Sequence, residues 1–131
     1  MSESKWQQYD IESKLIAILR EVPEDAKGHH FGRPFLTAYQ VAIEFAQRHP
    51  EVAAALGHPV GGEGIGVRYS LANYLAQQLS VRIRDGLIPV EGAFLSNKHL
   101  HAITFEHNNE LITSSLTDTP YTLSMYRLRE E

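Results

Sequence analysis

The chain has 131 residues, of which 43% are hydrophobic and 21% are charged, a composition that fits one soluble globular domain without a membrane-spanning segment. The absence of cysteine excludes disulfides, thiolate nucleophiles and cysteine zinc sites, and it is compatible with a reducing cytoplasm. The net charge of -4 weakens nonspecific attraction to nucleic acid or anionic membranes, but it leaves room for a local basic patch.

The N-terminal region predicts one helix that packs on one side. Its first ten residues lack the apolar stretch of a secretory signal, so we expect a cytoplasmic protein. Ser4 and Gln7 have the spacing of a capping box, and Pro23 ends the helical pattern. Between them, the apolar positions recur at helical spacing: Ile11, Leu15, Ile18, Leu19 and Val22. The prolines and glycines of residues 23–34 then predict an exposed connection.

Residues 35–48 predict a second helix that is buried on most sides. Its start is ambiguous, because Pro34 suits a first helical turn while Thr37 and Gln40 have capping-box spacing. The polar positions form only a narrow stripe: Thr37, Gln40, Glu44 and Gln47. A short helix starting at Pro50 is expected to end at Gly57, a plausible left-handed cap.

A glycine-rich loop follows the short helix. It contains Gly57, Gly61, Gly62, Gly64 and Gly66. Exposed amides before a helix can bind an anion, and Arg68 would add a positive charge. However, no GK[ST] follows, which excludes a Walker phosphate loop, and Glu63 would repel phosphate. We therefore favour a flexible connector and leave anion binding open.

The third main helix is expected from Ser70, its N-cap, to about Arg84, before Asp85 and Gly86. Its core stripe consists of Leu71, Leu75, Leu79 and Ile83. Strands are expected near residues 92–96, 100–106, 111–116 and 121–128, with a hairpin turn at Asn108–Asn109.

These elements predict an α+β fold, in which an N-terminal layer of three main helices precedes a C-terminal antiparallel β-sheet. We expect a single globular domain over residues 1–131, with frayed ends at residues 1–9 and 129–131.

The third helix also carries the sharpest functional signal. Opposite its leucines, Asn73, Gln77, Ser80 and Arg84 fall on one line, with Gln78 and Arg82 beside it. Asn and Gln side chains match adenine in the major groove, and Arg matches guanine. No lysine or carboxylate occurs between Val67 and Ile83.

The string LSVRIRDGLI resembles the end of the recognition helix in winged helix-turn-helix DNA-binding domains, where a helix ends at glycine and leads into a β-hairpin. The residues that carry the resemblance are Leu79, Ile83, Gly86, Leu87 and Ile88. The resemblance covers residues 35–107 and implies that a second helix packs across the recognition helix and that the hairpin contacts phosphate.

The resemblance implies a nucleic-acid-binding set of Arg68, Asn73, Gln77, Ser80, Arg82, Arg84 and Lys98, with Lys98 in or near a wing. This chain departs from the family in two ways. A small helix and the glycine loop replace the short turn between helices, and four strand candidates exceed a simple wing. The leading hypothesis is thus a regulatory module that contacts double-stranded DNA.

Three other interpretations stay open. The polar line of the third helix is also what a plain solvated surface looks like. A nonenzymatic protein-interaction module, including a homodimer, would use the sheet edge or the aromatic residues Tyr121 and Tyr126, expected to be exposed. An enzyme ranks last, because no catalytic motif is evident, so we assign no catalytic residues.

Histidines raise the question of a metal site. His99 and His101 alternate on an expected strand, and the paired His29 and His30 would add a third ligand from a loop. No HExxH or comparable spacing occurs, so surface histidines are favoured and we assign no metal and no cofactor.

Overall fold

The computed structural model describes residues 4–22, 30–60, 70–115 and 123–129. The helices are α1 (Lys5–Gln8), α2 (Ile11–Arg20), α3 (Ala38–Arg48), α4 (Pro50–Leu56) and α5 (Leu71–Arg84). The strands are β1 (Leu36–Thr37), β2 (Val90–Leu95), β3 (Ala102–His107), β4 (Glu110–Ser115) and β5 (Leu123–Leu128). Helices precede most strands, and all strand pairs are antiparallel, so the predicted α+β class is confirmed.

The strands form two sheets rather than the one predicted. A three-stranded sheet has the order β1-β5-β2, and β3 pairs with β4 in a separate two-stranded sheet. Within the larger sheet, Tyr126 of β5 lies between Leu36 of β1 and Gly92 of β2. Sequence reasoning missed β1, because two residues show no periodicity and their strand conformation comes from pairing with a distant segment.

The core lies between the helices and the three-stranded sheet. Its fully buried side chains come from α2, α3, α5 and β2: Ile11, Leu15, Val41, Phe45, Leu71, Leu75 and Val90. Tyr126 joins α5 to the sheet, because its hydroxyl donates a hydrogen bond to the carbonyl oxygen of Ala76 at 3.3 Å. Tyr126 is therefore buried, contrary to the expected exposure, and burial raises its pKa. Tyr121 lies outside the described residues.

The first predicted helix is broken into α1 and α2. Asp10, between them, has a left-handed backbone with φ of 51°. Ser4 caps α1 by accepting a hydrogen bond from the backbone N–H of Gln7, and Trp6 is buried against the core. Trp6 and Tyr9 thus pack against the core, Lys5, Gln7 and Gln8 are exposed, and residues 1–3 lie outside the described residues. At the other end, Arg129 donates a backbone hydrogen bond to Pro89, while residues 130 and 131 lie outside the described range.

Local capping signals fix the start of α3 and both ends of α5. Thr37 and Gln40 form a complete capping box, which starts α3 at Ala38 instead of residue 35. Ser70 caps α5 by accepting a hydrogen bond from the N–H of Asn73 at 3.0 Å. At its other end, Gly86 takes a φ of 68°. There, bonds from Leu87 to the Arg82 carbonyl and from Gly86 to the Ile83 carbonyl form a Schellman motif.

The β3–β4 hairpin turns at Asn108–Asn109, as predicted, with φ values of 52° and 63°. It packs on α3, where the rings of Phe105 and Tyr39 stack with centres 5.1 Å apart. The hairpin therefore lies against the helical layer. In the part of the chain that the structure describes, every helix is too short or too polar to cross a bilayer.

Candidate functional site

The polar face of α5, defined by Asn73, Gln77, Ser80 and Arg84, lies on the opposite side of the helix from its buried leucines. Gln77, Ser80 and Arg84 are exposed to solvent, and Asn73 is half-buried. Among the described residues, the side chains of Gln77 and Ser80 have no hydrogen-bond partner. Their donors and acceptors therefore face water, as a surface that recognises another molecule requires.

Arg84 occupies the C-terminal end of this face and is tied to its neighbour. Its Nε donates to the Asp85 carboxylate at 3.0 Å, and this bond lowers the pKa of Asp85 and raises that of Arg84. The Arg84 side chain is 71% exposed, so the pair is a surface ion pair of small net energy. Arg84 can exchange this partner for another anion at little cost.

Arg82 is turned away from the polar face of α5. The carbon at the centre of its guanidinium lies 4.1 Å from the centre of the Trp6 ring, a cation–π arrangement. The same group donates to the side-chain oxygen of Gln78 at 2.7 Å, and its Nε lies 4.0 Å from a Glu12 oxygen. Only 20% of the side chain is exposed. In this geometry Arg82 attaches α1 to α5.

The last two predicted binding residues lie away from α5 or outside the described range. Lys98 is exposed in the turn between β2 and β3, where its backbone N–H donates to the Ser96 hydroxyl at 3.1 Å. This turn leads into the β3–β4 hairpin instead of returning directly to β5, so Lys98 is not at the tip of a simple wing. Arg68 and the glycines at 61, 62, 64 and 66 lie outside the described residues.

A second surface, which we call the acidic groove, lies between α2, α3 and β3. It has a volume of about 420 Å³. Its apolar lining consists of Ile18, Val22, Leu36, Ile43 and Phe105, and its polar lining consists of Glu21, Gln40, Glu44, Arg48 and Glu106. Sequence reasoning missed the groove, because its residues come from three separated segments. Two residues of the narrow polar stripe predicted for this helix, Gln40 and Glu44, line it.

The charges of the acidic groove do not balance. Arg48 forms ion pairs with Glu21 and with Glu44, the latter through Nε and a carboxylate oxygen 2.9 Å apart. Hydrogen bonds to Glu21 first and Glu44 second raise the pKa of Arg48. Glu106 is exposed and, within the described ranges, has no ion-pair partner. The polar lining therefore includes three carboxylates and one guanidinium.

Among the residues that the structure describes, the histidines do not form a metal site. His99 and His101 precede β3 and lie in a turn, where His99 has a φ of 63°, so the expected strand alternation is wrong. His30 makes an edge contact with Phe31, with ring centres 4.8 Å apart. His29 lies outside the described residues. Across the described ranges, no group of three or more His, Asp or Glu side chains is arranged to hold a metal ion.

Comparisons of the chain with protein-family models, curated proteins and solved structures find no match. Functional inference therefore depends on the two surfaces described above.

Proposed function

We propose that the protein is a cytoplasmic DNA-binding module of the winged helix-turn-helix type, with α5 as its recognition helix. The observation that carries the proposal is the polar face of α5, which presents Gln77, Ser80 and Arg84 to solvent along a helix of 14 residues without a carboxylate. Asn73 extends the line towards the start of the helix. Helices with this mixture of amide, hydroxyl and guanidinium groups suit the edges of bases in the major groove.

The order of the elements supports the same proposal. Helix α3 packs against α5, as the second helix of that family packs across the recognition helix. The chain then leaves α5 through Gly86 and enters β2, which pairs with β5 from Val90↔Leu128 to Leu95↔Leu123. The β3–β4 hairpin is inserted in the connection between β2 and β5. In this proposal, β2 and β5 correspond to the two strands of the wing in winged helix-turn-helix domains, and the β3–β4 hairpin makes their connection longer.

We propose different roles in DNA recognition for the side chains of the polar face. Gln77 and Asn73 carry amides that donate and accept together, which is the pairing that adenine offers. Arg84 carries a forked guanidinium that suits guanine or a backbone phosphate. Arg82 has another task, since its contact with Trp6 holds α1 beside the recognition helix. Lys98 remains a candidate phosphate contact from the turn after β2.

Fluorescence anisotropy of a labelled duplex of about 30 base pairs, roughly three helical turns, tests the proposal as salt is varied. We expect affinity to fall steeply with salt, and Arg84→Ala to weaken binding roughly 5- to 10-fold and to reduce the salt slope by about one. Gln77→Ala should weaken binding to particular sequences selected from a random pool, because an amide reads bases rather than phosphate.

Arg20→Ala is the matched control, because Arg20 is an exposed arginine on α2 and its loss changes the net charge equally. It should leave DNA affinity within about twofold of the wild type, since exposed charges beyond a Debye length are screened. Absence of binding at low salt contradicts the proposal. So does a loss in Arg20→Ala as large as that in Arg84→Ala.

The alternative function is a homodimer formed through the sheet edge. Strand β2 lies at the edge of the three-stranded sheet, and its Phe94 is 72% exposed. An unpaired strand edge beside an exposed aromatic favours self-association. Sedimentation velocity should then show a dimer at micromolar concentration that Phe94→Lys dissociates, whereas Leu111→Lys, on exposed β4, should not. A monomeric wild-type protein rules out this alternative.

A further inference from the structure

We infer that the acidic groove is a docking site for a basic amphipathic segment of a partner protein. The inference goes beyond DNA binding and does not depend on it, because the groove and the polar face of α5 share no residue. Its occupant would place apolar side chains on the floor of the groove and lysine or arginine side chains at the rim.

The floor of the groove offers apolar surface that the fold leaves only partly covered. Ile18 and Ile43 are 2% and 7% exposed and form its rigid base. Val22, Leu36 and Phe105 are half-buried and line its sides. Covering these partly wet side chains would add hydrophobic burial without any change in the packed base.

The rim selects the charge of the occupant. Arg48 neutralises part of the charge of Glu21 and Glu44, and Glu106 of β3 also lines the groove. Arg33 lies beside the groove, where its guanidinium donates to the Val22 carbonyl oxygen. The three glutamates still outnumber Arg48 and Arg33, so a cationic partner gains attraction while an anionic partner is repelled. The groove therefore attracts partners of a different charge from those attracted by α5, whose charged side chains between Leu71 and Arg84 are arginines.

The shape of the groove favours a peptide segment over an enclosed small ligand. Small-molecule sites bury most of their ligand's surface, whereas this groove is partly open to solvent. A partly open groove with an apolar floor suits an amphipathic segment, which keeps its charged side in water while its apolar side is covered. The Arg48 pairs to Glu21 and Glu44 hold two of the rim carboxylates in place.

The test uses a fluorescein-labelled synthetic peptide of about 12 residues, with leucines at every third or fourth position and lysines between them. We expect the full chain to bind it at low salt, with amide shifts centred on Val22, Leu36 and Phe105 in heteronuclear NMR spectra. Glu106→Gln should weaken binding roughly 3- to 5-fold, because one rim charge is removed while the shape is kept. A twin peptide with glutamate in place of lysine should not bind.

Glu110→Gln is the matched control, because Glu110 is also exposed and lies on the same hairpin but does not line the groove. It should bind the lysine peptide within about twofold of wild type, since its carboxylate does not line the groove. The inference is overturned by absence of binding to the lysine peptide, or by equal binding of the glutamate twin. Equal weakening by Glu110→Gln, or shifts centred on α5, would overturn it too.

Discussion

The polar face of α5 and the acidic groove differ both in residue type and in charge. On α5, residues 71–84 carry arginines and no carboxylates, whereas the groove sets three carboxylates against Arg48. The net charge of -4 therefore describes neither surface. The carboxylates beside α5, Asp85 and Glu12, each lie against one of its arginines, whereas the glutamates of the groove outnumber Arg48. The proposals on both surfaces depend on this difference in local charge balance.

The two surfaces also use arginine differently. Arg82 lies over the buried Trp6 with its side chain 20% exposed, and it is bonded to its own helix through Gln78. Arg48 is 32% exposed and is paired only with carboxylates of the groove. Arg82 thus contributes to the stability of the fold, whereas Arg48 shapes a charged rim. Substitutions that separate stability from binding make this comparison testable.

Arg82→Met is expected to have the larger effect on stability. Methionine keeps most of the contact with Trp6 but loses the attraction of the cation for the ring and the hydrogen bond to Gln78. We expect the free energy of unfolding to fall by about 1–2 kcal/mol. Urea unfolding followed by fluorescence measures this directly, because Trp6 is the only tryptophan in the chain.

Arg84→Met is the control for that substitution, since it removes the same charge from a side chain that is 71% exposed. Its unfolding free energy should stay within about 0.5 kcal/mol of the wild type. Equal losses in the two variants would mean that the Trp6 contact does not distinguish Arg82 from a surface arginine. In that case Arg82, like Arg84, would have to be counted as a surface arginine available to contact DNA.

Sequence reasoning succeeded where the determinants are local. The cap at Ser70, the capping box at Thr37 and the turn at Asn108–Asn109 depend on neighbours within a few residues, and each is present. The leucine stripe of α5 is also confirmed, because its spacing fixes which side faces the core. Signals of this kind are sufficient to establish the α+β class.

Features that depend on distant partners were not predictable in the same way. The break at Asp10 brings Trp6 onto the core and beneath Arg82, a contact between segments far apart in sequence. The β3–β4 hairpin, which is separate from the other strands, likewise makes a contact between distant segments through the stacking of Phe105 on Tyr39. The acidic groove exists only because of that packing, so its residues showed no shared pattern along the chain.

Glu44→Gln is expected to have the smallest effect on stability. It therefore gives the strictest test of whether the charged rim of the groove serves binding rather than folding. Glu44 and Arg48 are an i, i+4 pair, with side chains 39% and 32% exposed, and Arg48 keeps its pair with Glu21 after the substitution. We expect the unfolding free energy to fall by no more than about 0.5 kcal/mol. Urea unfolding should therefore give nearly superimposable curves, while the affinity for the lysine peptide falls.

Glu110→Gln provides the reference for Glu44→Gln, because it removes one exposed carboxylate without changing the groove. If Glu44→Gln lowers stability as much as Arg82→Met does, the groove carboxylates hold α3 in place and their concentration is a by-product of packing. If stability is unchanged and peptide affinity falls only in Glu44→Gln, the carboxylates act on a partner. The rim carboxylates would then add little to the stability of the fold. Their excess over Arg48 would instead serve to bind a cationic partner.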